Sequence, residues 1–146
     1  MSNDNKEYAI HMEVRDYECD MADGVNNSVY YNYLEHARHS MLKAGGIDFA
    51  ALARQRIGLV VLKAEIDFIR SLMSGDKFCV RSRLYRKSKI RFEFHQEIYR
   101  ESDNQLVLKG RILGASVGAN GRPGLPPELE SLIVPLCSEL PDEVVA

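Results

Sequence analysis

Asp20 and Asn27 stand seven residues apart, on either side of the point where the hydrophobic pattern turns helical. Free backbone N–H groups at a helix N-terminus polarise a carbonyl oxygen and stabilise the negative charge that develops on it. A carboxylate held beside that point can attack a carbonyl carbon or activate water. An Asp before a helix is most often a turn former or a cap. Capping, however, explains a carboxylate at the boundary itself, not one seven residues upstream. The pair therefore reads as a minimal acyl-transfer site.

Other patterns carry less. Gly114-Ala115-Ser116-Val117-Gly118 matches the G-x-S-x-G nucleophile elbow, which needs a following helix and a later histidine. His11, His36, His39 and His95 all precede Ser116, and a Gly/Pro turn follows it, so small residues in a strand are the better reading. Seven basic residues (Lys77, Arg81, Arg83, Arg86, Lys87, Lys89, Arg91) lie between 77 and 91 with no acid among them. They read either as a solvated sheet face or as a strip that meets a phosphate of coenzyme A or a carrier-protein arm; Arg81, Lys87, Ser88 and Lys89 are the candidates. Glu35 and Arg38 are spaced for an i,i+3 ion pair. The histidines and the cysteines Cys19, Cys79 and Cys137 lack metal-ligand spacing, so no metal site is expected. Free thiols point to a reducing cytoplasm. A net charge of −2, from 19 basic and 21 acidic side chains, removes the simplest case for nucleic-acid binding. The longest strongly apolar run, Ile57 to Leu62, is far too short to span a membrane, and the polar start has no secretory core.

The elements that must position these residues follow from periodicity. The 146 residues, 45% of them hydrophobic, suit one domain, with 1–6 a flexible tail and 125–146 a C-terminal segment. Glu7 to Glu18 alternates with Tyr8, Ile10, Met12 and Val14 inward and predicts a strand. Cys19 to Asn27 is irregular and ends in a cap candidate, Asn27. From Ser28 to about Ala44 the residues Tyr30, Tyr33, Leu34, Ala37, Met41 and Ala44 make one apolar stripe, stopped by Gly45-Gly46; Asn27, Tyr31, Glu35 and Arg38 make a polar stripe beside it. A short helix follows at Asp48–Gln55. Strands are predicted at Ile57–Arg70, Lys77–Tyr85, Ile90–Ile98 and Gln105–Ala119, with turns at Ser74-Gly75-Asp76 and Ser102-Asp103-Asn104. In the third of these, Arg91, Glu93, His95 and Glu97 fall on the polar side. A short helix near Glu128–Ile133 closes the chain. Consecutive strands joined by tight turns are antiparallel, and the long helix must bury its stripe against their sheet: an α+β fold.

The run from Val14 to Arg38, VRDYECDMADGVNNSVYYNYLEHAR, resembles hot-dog-fold acyl thioesterases of the 4-hydroxybenzoyl-CoA thioesterase type. Phe68 to Asp76, FIRSLMSGD, is similar to their strand-turn-strand signature, and the likeness extends over about residues 8 to 120. The resemblance implies an antiparallel sheet wrapped round one long central helix. It also implies homodimers or homotetramers with active sites at the subunit interface. An aspartate stands at the position of Asp20, with the Asn27 N–H polarising the thioester carbonyl. This chain departs from the pattern in having Asp23 where many members have Gly, with Gly24 one place later, and in lacking a His near Asn26. The implied reaction hydrolyses an acyl-CoA or acyl-carrier-protein thioester to a carboxylic acid and a thiol. Coenzyme A or phosphopantetheine would enter only as part of the substrate, with no separate cofactor. Asp20 would be nucleophile or general base and Glu35 a back-up base. Arg38 would orient Asp20 or meet the acyl carbonyl of its own or the partner subunit. Tyr30 and Tyr31 would line the acyl site. The VNN and EHAR wording is closest to enzymes that release medium or long acyl or polyene chains from fatty-acid and polyketide-like synthases. A hot-dog dehydratase or hydratase, wanting a histidine in the 20–27 loop, and a non-catalytic acyl-binding protein are the rivals.

Overall fold

The computed structural model describes residues 6–21 and 24–139. Of the expected tail only Lys6 falls among them, and Asp23 lies outside them.

Strand β1 (Tyr8–Glu13) shows the predicted alternation, with Ala9, His11 and Glu13 exposed. It ends at Glu13, not Glu18. The Val14 amide still donates to the Asp76 carbonyl at 2.9 Å, and the chain then turns through one 3-10 turn at Asp16–Glu18. The cause is local: the Glu18 carboxylate accepts the Arg15 amide at 2.9 Å, so side-chain bonding takes over from the ladder. Two short strands, β2 (Cys19–Asp20) and β3 (Gly24–Val25), then pair antiparallel.

Helix α1 (Asn27–Ala44) buries Tyr30, Tyr33, Leu34, Ala37 and Met41 as predicted, and Leu42 in place of Ala44, which is exposed. Its cap is Asn26, one residue before the expected Asn27. At the far end the Gly45 amide closes on the Met41 and Leu42 carbonyls, and Gly46 takes a φ of +99°. Helix α2 (Phe49–Arg54) is capped by Asp48, whose Oδ1 accepts the Ala50 and Ala51 amides at 3.0 and 3.2 Å.

The remaining strands are β4 (Gly58–Phe68), β5 (Lys77–Arg86), β6 (Arg91–Arg100) and β7 (Gln105–Val117). Helix α3 (Pro127–Ile133) and a short strand β8 (Cys137–Ser138) follow. The sheet order is β1-β5-β6-β7-β4, with β8 parallel to β5, a pairing the sequence did not suggest. Neighbours β5, β6 and β7 are antiparallel, as tight turns require. The turn at Ser74–Asp76 forms, with Gly75 at φ +85°, but it does not make β4 and β5 partners. β4 pairs with β7 on the far side, so the stretch between them crosses the sheet. Turn chemistry sets local chain direction and not which strand is adopted as neighbour.

The sheet wraps α1. Tyr33 and Leu34 pack with Phe78, Val80, Ile98 and Leu108, and Met41 and Leu42 with Leu84, Phe92, Leu129 and Ile133. Each fully buried apolar side chain of this kind contributes about 1.5–3 kcal/mol. Two buried residues on the helix side, Gln96 and Ser82, are polar. Gln96 donates to the Leu34 carbonyl and to Ser82 Oγ, both at 3.0 Å, and accepts Arg38 Nη1 at 3.2 Å. On the opposite face Glu93, read as solvent-facing, is only 7% exposed. Burial opposes its ionisation, but bonding to His95 and Arg111 outweighs this and leaves its carboxyl below the usual range. Among the described residues, no helix is long and apolar enough to cross a membrane.

Candidate active site

The ribbon β2–β3 carries Asp20 to the N-terminus of α1. Glu18 anchors it. This carboxylate, 9% exposed, accepts the Tyr33 hydroxyl at 2.6 Å, the Arg15 amide at 2.9 Å and Arg15 Nη1 at 3.2 Å. Burial resists its charge; the bonds from Arg15 and Tyr33 overcome this and hold the carboxyl below its ordinary value. Burial, then Glu18 itself, push the Tyr33 phenol upward, so it stays a proton donor. The Asn26 amide donates to the Glu18 carbonyl at 3.0 Å, which ties the ribbon to the helix start.

The loop returns close under the β4–β5 crossing. Val25 N donates to the Leu72 carbonyl at 2.9 Å, and Leu72 N donates to Tyr30 Oη at 2.9 Å. Gly24 lies between, at φ +84°, and a Cβ there would collide with the Leu72 carbonyl. Only glycine fits, which accounts for Gly24 in this chain's version of the motif.

Asp20, Asn26, Asn27, Tyr30, Phe68 and Arg70 line one recess. Asp20 Oδ1 accepts Asn26 Nδ2 at 2.9 Å. The Asn27 amide is the first of the helix and has no hydrogen bond among the described residues. The carboxylate thus shares a cavity with a helix amide that has no partner among the described residues. Phe68 stacks edge-on to Tyr30 at 5.7 Å. Arg70, not singled out in the sequence, gives one bond to the Leu106 carbonyl at 2.7 Å and supplies the recess with a cation. Its signal in the sequence is its place in the FIRSLMSGD run.

The other predicted residues lie elsewhere. Glu35 and Arg38 line a second cleft, between α1 and the β4–β7 edge, with Leu42, Leu59, Val60 and Phe94. Eight to eleven residues of helix separate them from Asn27, about 12–17 Å at 1.5 Å per residue. Within one chain Arg38 therefore does not orient Asp20. Nor does Arg38 pair with Glu35; it turns under the helix to Gln96 and sits 6.0 Å from the Phe94 ring. Its burial lowers its affinity for a proton, and no carboxylate among the described residues lies within ion-pair distance of it. Glu35 lies 3.9 Å from His39. Tyr30 lines the recess, but its partner in the prediction, Tyr31, points out at 48% exposure. Arg81 stacks 4.3 Å over Tyr99 on the outer sheet face. Lys87, Ser88 and Lys89 form the β5–β6 turn, where Ser88 Oγ accepts the Arg91 amide at 3.2 Å and Arg86 holds the Ser88 and Lys89 carbonyls. Lys87 Nζ approaches Glu93 at 3.9 Å on the outer face that carries Arg81, while Arg86 pairs with Glu130 at 2.9 Å. Ser116 Oγ is buried with no hydrogen-bond partner among the described residues, so none of them serves it as an activating base. No group of three metal-binding side chains occurs among the described residues.

Comparison with known proteins bears on the whole of this frame. A chloroplastic acyl-acyl carrier protein thioesterase of Arabidopsis thaliana is 33% identical over 116 residues, 80% of this chain and 61% of that protein. The chain thus spans less than two thirds of the length of this relative. Two solved structures show the same hot-dog fold. A 1,4-dihydroxy-2-naphthoyl-CoA thioesterase from Synechocystis superposes with a TM-score of 0.81 at 19% identity, over 87% of this chain and 95% of its own. A 12:0-ACP thioesterase from Umbellularia californica gives 0.81 at 15% identity, over all of this chain and 59% of its own. The model of the thioesterase-like superfamily matches residues 14–146, so the match takes in the ribbon, the helix start and the sheet that build the recess; the chain belongs to that superfamily.

Proposed function

We propose that the protein hydrolyses acyl thioesters, taking acyl-CoA or acyl-carrier-protein substrates to a carboxylic acid and a free thiol. The observation that carries this is the Asp20 carboxylate in one recess with the Asn27 amide, which has no partner among the described residues. As general base, Asp20 takes a proton from water while the hydroxide adds to the thioester carbon. The carbonyl oxygen becomes an oxyanion beside the Asn27 N–H. Collapse of the adduct breaks the carbon–sulfur bond, and the departing thiolate takes up the proton. As nucleophile, Asp20 would add to the thioester carbon and expel the thiolate to leave a mixed anhydride; water then cleaves the anhydride, freeing the acid and Asp20, and the proton released passes to the thiolate. Coenzyme A or phosphopantetheine is needed only as the substrate's own thiol.

The acyl chain is assigned to the apolar cleft at Arg38, reached through a second copy. β4 is a sheet edge with Val60, Val61 and Leu62 exposed. Such an edge invites pairing. Its two ends serve different cavities: Val60 and Val61 line the cleft, and Phe68 lines the recess. Antiparallel pairing of two β4 strands sets the Gly58 end of one beside the Phe68 end of the other. The Asp20 recess of one copy then meets the apolar cleft of its partner. A homodimer, or a tetramer built from it, follows from this reading, as does a role for Arg38 near the acyl group. Free Cys19, Cys79 and Cys137 agree with a reducing compartment such as the cytoplasm.

Thiol release from acyl-CoAs and acyl carrier proteins of increasing chain length is the test. Turnover that rises with chain length and disappears in Asp20→Ala supports the reading. No thiol release from any member of either series refutes it.

A further inference from the structure

Asn26 is engaged on every side. Its Oδ1 accepts the Ser28 amide and the Ser28 hydroxyl, both at 2.9 Å. Its backbone amide is bound to the Glu18 carbonyl at 3.0 Å, and its carbonyl accepts the Val29 amide at 2.9 Å. The Ser28 N–H can only donate, so the side-chain oxygen must face it. This fixes the amide's orientation and turns Nδ2 toward Asp20, where it donates to Oδ1 at 2.9 Å. Asp20 Oδ2 has no partner among the described residues.

We infer that Asn26 is a positioning residue: the helix cap also aims the Asp20 carboxylate, holding one oxygen and leaving the other to act. This deepens the thioesterase reading and rests on it. Three physical features support the role. Asp20 sits on a two-residue strand that by itself leaves the side chain free to rotate. The group that holds it belongs to the same helix start as the Asn27 amide, so base and oxyanion donor share one rigid reference. And Asn is a neutral donor. A lysine or arginine in its place would hold a carboxylate as firmly but would stabilise its charge and weaken it as a base. One chain of contacts runs from Tyr33 through Glu18 to Asn26 and Asp20, which couples the reacting carboxylate to the buried core.

Two substitutions separate capping from positioning. Asn26→Ser keeps a good cap and removes the NH2 group. Asn26→Asp keeps the cap and the shape but sets a second carboxylate against Asp20. In Asn26→Ser, kcat is expected to fall about 10- to 100-fold with KM within about twofold and the melting temperature nearly unchanged. In Asn26→Asp, the acid limb of the activity profile moves to higher pH by about one unit, since adjacent carboxylates share a proton. The carboxyl 13C resonance of Asp20 moves its midpoint the same way, with or without turnover. Near-normal kcat in Asn26→Ser, alongside an inactive Asp20→Ala, overturns the positioning role. So does a 13C midpoint in Asn26→Asp equal to that of the unmodified protein. Absence of turnover in the unmodified protein overturns the thioesterase reading instead, and the resonance still reports whether the two side chains meet.

Discussion

Tyr33→Phe isolates the anchor under the site. The ring stays, with its contacts to Phe78 at 4.6 Å and Tyr30 at 6.0 Å, so no cavity opens. What is lost is one hydroxyl, 2.6 Å from the Glu18 carboxylate, between residues that are 3% and 9% exposed. Glu18 Oε1 keeps the Arg15 amide, so it is not left bare. A buried hydrogen bond to a charged group is worth about 1.5–3 kcal/mol. For a chain of this size that lowers the melting temperature by roughly 5–10 °C. The pH dependence has a definite sign. Glu18 is depressed below 4.5 in the folded state, so its bonds stabilise fully above about pH 4.5 and fade as pH falls through the lower folded value. The gap between the two proteins should therefore be full at pH 7 and narrow toward pH 3. Paired thermal melts monitored by circular dichroism at both pH values measure it. A gap under 1 °C at pH 7, or one that stays constant into acid, refutes the reasoning.

Asp20→Ala should cut kcat by about 10²–10⁴, and Asp20→Asn by a similar factor if the carboxylate acts chemically; thiol-release kinetics on both variants distinguish base from spacer. Ser116→Ala removes a buried hydroxyl without a partner, so turnover should persist and stability rise by about 1 kcal/mol in denaturant titration; lost activity in a folded protein would restore the G-x-S-x-G motif. Val61→Lys charges the exposed β4 edge and should give monomers by light scattering, with turnover lost in step. Replacing Arg81, Lys87 and Lys89 together should raise KM and weaken its salt dependence if the strip meets a phosphate, and leave both unchanged if it is a solvated surface.

Local pattern was enough for the frame. The stripe Tyr30, Tyr33, Leu34, Ala37 and Met41 needs only the helical period, and β1, β5 and β6 need only alternation. The nearness of Asp20 to Asn27 was legible because both lie within one short run of chain, where spacing alone limits how far apart they can be. Contacts across long separations were not legible. Gln96 joins Arg38 to Ser82 and the Leu34 carbonyl, at separations of 58, 14 and 62 residues, and nothing in the β6 alternation marks it. Glu18 reads only as the end of the first predicted strand until Tyr33 is seen to cover it. Asn26 and Asn27 are identical in type, so which of them caps the helix depends on where the Ser28 amide points. The place of β4 beside β7, and with it the division of the predicted site into recess and cleft, was settled by packing of the whole sheet round α1. Periodicity records which face of an element is buried; the neighbour that buries it is chosen by the competition of all elements for the same core.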